Sequence, residues 1–394
     1  MAGATMPAAK RHDWHLIVWR VVAGLGALLF LIALPGLLAL IEPWVLVTAD
    51  RPGYIAEIHR LHEAHWGVIH GLLYGGCLIA LLRKPREQPL LVQFFVAAVL
   101  IEAAGYGLVG SLDPMPLVIL AIVLAAYPAP RALVSVSRQG PMSLPLLGLS
   151  VLAAGLLLPD VGRLVHLQLA GLGGEHATEN HWILTAMLEL MLITGGLLAA
   201  TRRPGWQALG IIVGLAFVYL GVASISLPYY AGSWNLWGGA LATVGGWAFI
   251  GATLWEARQT AADAGRRGWL PYALIALVGC LGAALVALPW PGTAARDDAA
   301  PAGTMVLVAQ EYQFDRLEVQ AQVGQPLTLR LDNRDDALHQ FDLDQFNVHV
   351  AMPPGQRTVA QFTPTQTGTY TFYCVLHVDR TTKQGMAGKL VVTP

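Results

Sequence analysis

Long apolar segments fill residues 14 to 289, and they constrain the fold of this chain more than any other feature. A helix needs about 20 predominantly apolar residues to cross a bilayer, and about nine segments reach or approach that length. The chain is 55% hydrophobic and only 12% charged, about half the charged fraction of a soluble protein. We therefore predict an all-α polytopic transmembrane domain over residues 1–289. The predicted spans cover residues 15–41, 64–82, 89–112, 115–130, 142–158, 181–200, 206–227, 234–256 and 269–289.

The charges between these segments predict an orientation. Basic residues concentrate in alternate loops, for example Arg83 and Arg202, and acidic residues in the others, for example Asp113 and Asp160. Because cytoplasmic loops carry an excess of Lys and Arg, the N-terminus is predicted to be cytoplasmic and the C-terminal part to lie outside the cell (inner) membrane. The net charge of -1 provides no basic field, so nucleic acid is not an expected partner.

Two segments of the membrane part resemble each other. "EAHWGVIHGLLYGGCLIALLRKP" at 63–85 aligns with "ENHWILTAMLELMLITGGLLAATRRP" at 179–204. Both open with Glu-x-His-Trp and close with basic residues and a proline, which favours an internal duplication of a four-helix unit. The alternative is that any two membrane helices share apolar filler and basic ends.

Histidines gather on the predicted outer loops and the adjoining helix starts. The duplication would bring Glu63 and His65 close to Glu179 and His181. Carboxylates and imidazoles together suit a first-row transition metal, a haem edge or a proton-handling site. Alternatively, His, Glu and Trp are simply common at a membrane–water boundary. The residues of this possible second site are Glu63, His65, Glu179, His181, His62 and His70.

Two carboxylates, Glu102 and Glu189, fall within apolar runs. An ionisable group inside the bilayer is costly and is therefore a functional candidate, unless it lies near a helix end and reaches water. The sequence contains no C-x-x-C-H haem motif, P-loop or Rossmann fingerprint. Whether the membrane part binds a metal, a haem or a quinol stays open at this point.

The last hundred residues have a different composition. Residues 290–303, "WPGTAARDDAAPAG", predict a flexible linker. Residues 304–394 contain short runs rich in Val, Leu, Tyr, Phe and Thr, punctuated by Gly, Pro, Asn and Asp, which predict a small extracytoplasmic β-sandwich. Because the linker is short, this domain should stay close to the outer histidine-rich loops.

Three segments of this domain, "LDNRDDALHQFDL", "TGTYTFYCVLH" and "GMAGKLVV", resemble in order the ligand-bearing segments of the cupredoxin family. The resemblance covers residues 304–394 and implies a Greek-key sandwich with one mononuclear copper. Matched position by position, it implies that the ligands are His339, Cys374, His377 and Met386. A thiolate, two imidazoles and a weak thioether form the ligand set of blue-copper electron-transfer sites.

The sequence departs from the family pattern in two ways. Eight residues separate His377 from Met386, more than the family usually has, which puts the axial role of Met386 in question. The region also resembles the binuclear copper domains of cytochrome oxidase subunit two and nitrous oxide reductase. Those domains need a second cysteine where Val378 stands, so a mononuclear site is predicted. His349 and Met352 are less favoured substitute ligands.

These features predict a membrane-anchored copper protein whose outer domain transfers single electrons. The expected partners are membrane lipid and a redox partner protein or membrane complex. Electrons would pass between the copper and this partner, or between the copper and a site at the outer membrane face. Two alternatives stay open. One is a copper acquisition or delivery protein; the other is a subunit of a membrane metalloenzyme, an oxidoreductase, that uses the outer His/Glu set.

Overall fold

The structure is a computed structural model that describes residues 13–34, 36–49, 56–262, 304–335, 337–378 and 382–394. A helical N-terminal part is followed by a β-sheet domain, as the sequence predicts. The predicted ninth helix and the predicted linker lie outside the described residues, so the count of nine spans and the linker stay predictions. Within the described residues, six helices are long and apolar enough to cross a membrane: Trp14–Ala33, Ala56–Arg83, Pro89–Leu108, Leu144–Leu169, His181–Ala200 and Trp206–Ser226.

The helices are numbered in chain order. They are α1 (Trp14–Leu28), α2 (Gly36–Ala39), α3 (Ala56–Gly67), α4 (Gly76–Arg83), α5 (Pro89–Leu108), α6 (Met115–Ala126), α7 (Leu144–Leu169), α8 (Glu175–Thr178), α9 (His181–Ala200), α10 (Trp206–Ser226) and α11 (Asn235–Ala262). A π-helical stretch, Val68–Gly75, joins α3 to α4 within one continuous span. A second one, Leu29–Ala33, follows α1. Such π-bulges are rare and frequently lie at functional sites.

Several helices differ from the sequence prediction in their ends. The segment predicted at 142–158 continues as α7 to Leu169, although Pro159 lies inside it. Proline removes one backbone hydrogen bond and normally kinks or ends a helix, so the sequence favours an earlier end. The start of α7 is stabilised by Ser143, whose Oγ accepts a hydrogen bond from the backbone N–H of Leu146 at 3.1 Å. The segment predicted at 15–41 is divided among α1, the π-helical turn and α2.

Small residues bring α10 and α11 into close contact. A Cβ added at Gly221 would lie 2.5 Å from the carbonyl oxygen of Gly239, and one added at Gly246 would lie 2.6 Å from that of Gly214. Membrane helices associate through such small residues because lipid provides no hydrophobic driving force between them. The buried helix α9 packs in the centre of the helical part, against α5, α7 and α10.

The β domain consists of two packed sheets. One has the strand order β2-β1-β4-β7 and the other β3-β9-β8-β5-β6; β1/β4 and β3/β9 are parallel pairs. Phe314, Phe341 and Phe372 are buried between the sheets, in contact with one another. The strands are β1 (Met305–Gln310), β2 (Gln313–Phe314), β3 (Glu318–Gln322), β4 (Leu327–Asn333), β5 (His339–Leu343), β6 (Val348–Met352), β7 (Arg357–Phe362), β8 (Gly368–Val378) and β9 (Gly385–Thr393).

One end of the sandwich packs on the helical part. The ring centroids of Tyr312 and Trp182 are 4.9 Å apart, and the backbone N–H of Leu338 donates to the carbonyl of Tyr229 at 3.2 Å. Leu164 and Leu167 of α7 belong to the same buried cluster as Tyr312. The end of β4, the start of β5 and the end of β8 lie at this contact, so His339 and His377 lie close to the helical part.

Candidate metal centre

Three predicted ligands, His339, Cys374 and His377, converge on one buried point; we call them the donor triad. The Nδ1 atoms of His339 and His377 are 2.9 Å apart, and Cys374 Sγ lies 3.3 Å from His377 Nδ1 and 3.9 Å from His339 Nδ1. A metal bound at about 2.0–2.1 Å from nitrogen and about 2.3 Å from sulfur brings such donors roughly 3.3–3.8 Å apart. The triad therefore fits one transition-metal ion, and a thiolate with two imidazoles suits copper.

The fourth predicted ligand, Met386, lies near this point. Val378 at the end of β8 pairs with Gly385 at the start of β9, and Met386 follows as a fully buried side chain in the same core cluster as Cys374. Its axial role stays a prediction, and residues 379–381 of the preceding loop lie outside the described residues. Of the substitute ligands, His349 has a half-exposed side chain and contacts Asp342 at 2.8 Å. Met352 is buried and pairs with His339 across β5 and β6.

The segment that carries His339 is fixed by Asn333, the last residue of β4. Its Nδ2 donates to the carbonyls of Ala337 and Met352 at 2.9 and 2.7 Å, and its Oδ1 accepts from the backbone N–H of Asp335 at 2.9 Å. Each of these groups is buried or partly buried, and leaving one unsatisfied would cost about 1–3 kcal/mol. Asn333 therefore holds the turn into β5 in the conformation that presents His339.

The sulfur of Cys374 is buried and receives a hydrogen bond. The backbone N–H of Gln340 donates to Sγ at 3.3 Å, which stabilises a thiolate and, with a metal bound, tunes its potential. Burial nevertheless raises the pKa of the Cys374 thiol to about 12. Metal binding must therefore displace this proton, since the thiolate is the ligand form.

Asp335 orients the first histidine. His339 Nε2 lies 2.7 Å from Asp335 Oδ2, and the same carboxylate accepts from the backbone N–H groups of Glu311 and Tyr312 at 2.7 and 2.9 Å. Burial alone would raise the pKa of Asp335, but these hydrogen bonds lower it below its ordinary value. The carboxylate therefore holds the proton on Nε2 and leaves Nδ1 free to bind a metal, as is common for metal-ligating histidines.

We predict that Asp335→Asn weakens copper binding by about 10- to 100-fold, the usual effect of losing an outer-shell partner. The amide keeps the shape but removes the negative charge that makes His339 a better donor. The measurement is a copper titration of the detergent-purified full chain against a competing chelator. Asp344→Asn is the matched control, because exposed Asp344 contacts Tyr373 and an amide oxygen still accepts that hydrogen bond. Equal affinities in the two variants would contradict the role of Asp335.

A second group of histidines lies on the membrane part, beside the donor triad. We call His59, His62, His176 and His181 the histidine cluster; all four are buried. Donor atoms of His59, His176 and His181 lie within 4.8 Å of one another, and the rings of His62 and His181 stack at 4.7 Å with a 13° interplanar angle. Glu175 is also buried, with its Oε2 3.9 Å from His59 Nδ1. Burial lowers the pKa of His176 well below its ordinary value, which favours the neutral imidazole that binds metals.

The structure places the predicted second-site residues in different surroundings. His62 and His181 belong to the cluster. His65 lies beside it, with Nδ1 2.9 Å from Thr185 Oγ1. Glu179 is exposed and Glu63 is partly buried. His70 lies apart from the cluster, 3.5 Å from Glu102.

Sequence reasoning placed His59 and His176 among the histidines of the outer loops and helix starts, but it did not assign them, or Glu175, to the second site. The three-residue spacing of His59 and His62 on one helix face was an available signal. The two intramembrane carboxylates are both buried, as their apolar runs suggest. Glu102 accepts a hydrogen bond from Tyr74 at 2.5 Å, and Glu189 accepts one from Trp234 Nε1 at 2.8 Å.

The donor triad and the histidine cluster are in contact. The ring centroids of His377 and His176 are 5.6 Å apart, and Tyr312 lies 4.9 Å from His377. The approach depends on Gly174, whose φ is +59°: a Cβ added there would lie 2.5 Å from the carbonyl oxygen of His377. Only glycine combines this backbone conformation with so close an approach at low cost.

The comparisons with known proteins concern the C-terminal domain. Residues 280–392 match a family model described as a cupredoxin-like domain, so this part of the chain is a cupredoxin-like domain, which is a copper-binding, electron-transfer type of domain. The domain is similar to auracyanin A, a "blue" copper protein from Chloroflexus aurantiacus (21% identity, 23% of this chain and 98% of that one, TM-score 0.20).

It is also similar to the periplasmic domain of cytochrome oxidase subunit II (CoxB) of Bradyrhizobium japonicum, with 16% identity over 24% of this chain and 86% of that one, at a TM-score of 0.20. A third similar structure is amicyanin from Paracoccus versutus, with 20% identity over 24% of this chain and 86% of that one, also at a TM-score of 0.20. A search of curated proteins found no match to the chain. The family match alone supports the assignment of the domain.

Proposed function

We propose that this chain is a membrane-anchored copper protein whose cupredoxin-like domain transfers single electrons at the outer face of the membrane. The observation that carries the proposal is the convergence of His339, Cys374 and His377 in a buried, preformed arrangement. Because buried strands hold these ligands in place, the ligand geometry should change little when the bound metal gains or loses an electron. Bound copper supplies the one-electron chemistry; the chain supplies the ligands, excludes water and provides a covalent path through Cys374.

The residues support a mononuclear copper site in the cupredoxin-like domain. Val378 replaces the second cysteine that a binuclear centre needs, and the buried Met386 is available as the axial ligand. The alternating loop charges support a cytoplasmic N-terminus and a periplasmic copper domain in the inner membrane. The six long apolar helices support anchoring in lipid.

The electron partner is proposed to be a redox protein, a membrane complex or a site on the membrane part itself. The contact between His377 and His176 favours the last of these and with it a second candidate function, the redox component of a membrane oxidoreductase. Copper acquisition or delivery is the other alternative, and it differs in requiring that the ion leave the site.

The test is a redox titration of the copper-loaded full chain in detergent, followed by a challenge with a copper chelator in both oxidation states. We expect one copper at the donor triad that cycles reversibly between Cu(II) and Cu(I) and stays bound in both. The zinc-loaded chain is the control, because Zn²⁺ has no redox chemistry and should give no response over the same range. Rapid loss of the reduced ion to the chelator would overturn electron transfer in favour of copper delivery.

A further inference from the structure

The histidine cluster has the shape of a metal site. His59 and His62 lie on α3, His176 on α8, and His181 begins α9. Four of the six distances between ring centroids fall between 4.5 and 4.9 Å, and the other two are 6.3 Å for His59 and His62 and 5.9 Å for His176 and His181. A metal bound tetrahedrally by four imidazoles, at about 2.0–2.1 Å from each nitrogen, puts the centroids about 5 Å apart. The ring centres therefore form a slightly flattened version of that arrangement, and the donor atoms of His59, His176 and His181 lie within 4.8 Å of one another.

The hydrogen bonds around Thr185 assign the tautomer of His62. The Thr185 hydroxyl lies 3.1 Å from the carbonyl oxygen of His181, to which it donates its only proton. Its oxygen must then accept from His62 Nδ1, at 3.3 Å, and from His65 Nδ1, at 2.9 Å. His62 therefore carries its proton on Nδ1, and its buried Nε2 has a lone pair that is available to a metal. This is the outer-shell pattern of a metal-ligating histidine.

Buried nitrogen atoms in the cluster lack hydrogen-bond partners. Among the described residues, neither ring nitrogen of His176 has one, nor does Nε2 of His62. Buried polar groups in native proteins are nearly always satisfied, so an unsatisfied group indicates an ion or another unseen partner. If packing alone held these histidines together, the buried nitrogens would lose their hydrogen bonds to water and gain no other partner.

We propose that His59, His62, His176 and His181 bind a second metal ion, a redox-active first-row transition ion, which exchanges electrons with the copper of the donor triad. Imidazole ligands suit copper and iron, the two redox-active candidates, as well as redox-silent zinc. His62 and His181 stack at 4.7 Å, which leaves no space for a haem macrocycle between these two rings.

The electron step follows from the contact between the two sites. His377 would bind the copper and His176 would bind the second ion, and the centroids of their rings are 5.6 Å apart. Cu(I) is oxidised to Cu(II) while the second ion is reduced by one electron, and no bond or proton is exchanged. This step rests on the proposed function, whereas metal binding by the histidine cluster does not.

The test separates the two sites by mutation. Full-chain Cys374→Ser, which lacks the copper thiolate, is loaded with CuSO₄ or with Fe(II), desalted and examined by metal analysis and spin resonance. We expect about one tightly bound ion per chain with an all-nitrogen signature for copper. Adding H62A and H176A to the Cys374→Ser variant should lower its affinity for the bound ion at least 100-fold.

His166→Ala, which removes an exposed histidine of α7, is the control and should keep the ion. H62A and H176A with Cys374 intact should retain the spectrum of the copper site, which shows that the protein still folds. Metal content that is absent in Cys374→Ser, or that is unchanged by H62A and H176A, would overturn the second site. A bound second ion that shows no magnetic or redox coupling to the copper would overturn the electron step alone, and failure of the copper to cycle would instead overturn the proposed function.

Discussion

We expect Cys374→Ser to abolish the intense visible absorption of the copper-loaded chain. It should also lower the copper affinity of the donor triad by more than the roughly 100-fold that loss of an outer-shell partner costs. The sulfur lies 3.3 Å from His377 Nδ1 and receives the Gln340 N–H, so it is the central donor of the triad. A serine hydroxyl does not ionise near neutral pH, so it cannot replace the thiolate as a ligand of Cu(I) or Cu(II). The measurements are optical and spin-resonance spectra with metal analysis of the full chain.

Cys77→Ser is the matched control for this prediction. Cys77 is also a fully buried free cysteine, but it lies in the apolar core of the helical part, in α4. Removing its thiol should leave the copper spectrum unchanged. A visible band that survives in Cys374→Ser, or that disappears in Cys77→Ser, would contradict the assignment of the ligand.

Gly174→Ala separates the copper domain from the membrane part, and we expect the docking constant to fall about tenfold or more, equivalent to at least about 1.4 kcal/mol. The new Cβ would lie 2.5 Å from the His377 carbonyl oxygen, a distance that forces the backbone of one loop to move. The φ of +59° adds strain, since non-glycine residues avoid this conformation. Both effects act at the contact between the two sites.

The measurement is a pulsed spin-resonance distance between Cu(II) and a nitroxide on Ala170→Cys, at the exposed end of α7, with Cys77 and Cys280 replaced by serine. We expect one narrow distance distribution in the parent and a broad one in Gly174→Ala. Gly110→Ala is the control: its φ of +72° carries the same kind of strain, but a Cβ there meets no atom within 4 Å. A narrow distribution in Gly174→Ala would show that the close approach does not hold the domains together.

The residues of the donor triad could be named from the sequence because the segments that carry them resemble, in order, those of the cupredoxin family. Cys374 ends a strand-like run, His377 follows it within three residues, and His339 comes shortly after Asn333. The resemblance, rather than composition or periodicity, brought these distant residues together.

The histidine cluster could be predicted only in part, because its geometry depends on backbone turns. Gly173 and Gly174 both have positive φ, and they lead into the four-residue helix α8, which places Glu175 and His176 in the buried cluster. A pattern of apolar and polar residues does not reveal such a turn, so the sequence favoured Glu179, which is exposed. The π-helical stretch Val68–Gly75 is equally invisible to periodicity, and within it His70 contacts Glu102 rather than the histidine cluster.

The carbonyl of His377 is enclosed by two glycines from distant parts of the chain. A Cβ added at Gly385 would lie 2.5 Å from this oxygen and 3.3 Å from the Cα of Gly174. The loop that ends at Gly385 and the loop that contains Gly174 are therefore packed against each other. Related sequences should therefore lack insertions in either loop. A copper domain taken from another protein could replace this one only if its loop followed the same backbone path. The turn at Gly324, which has open space around it, should by contrast accept added residues freely.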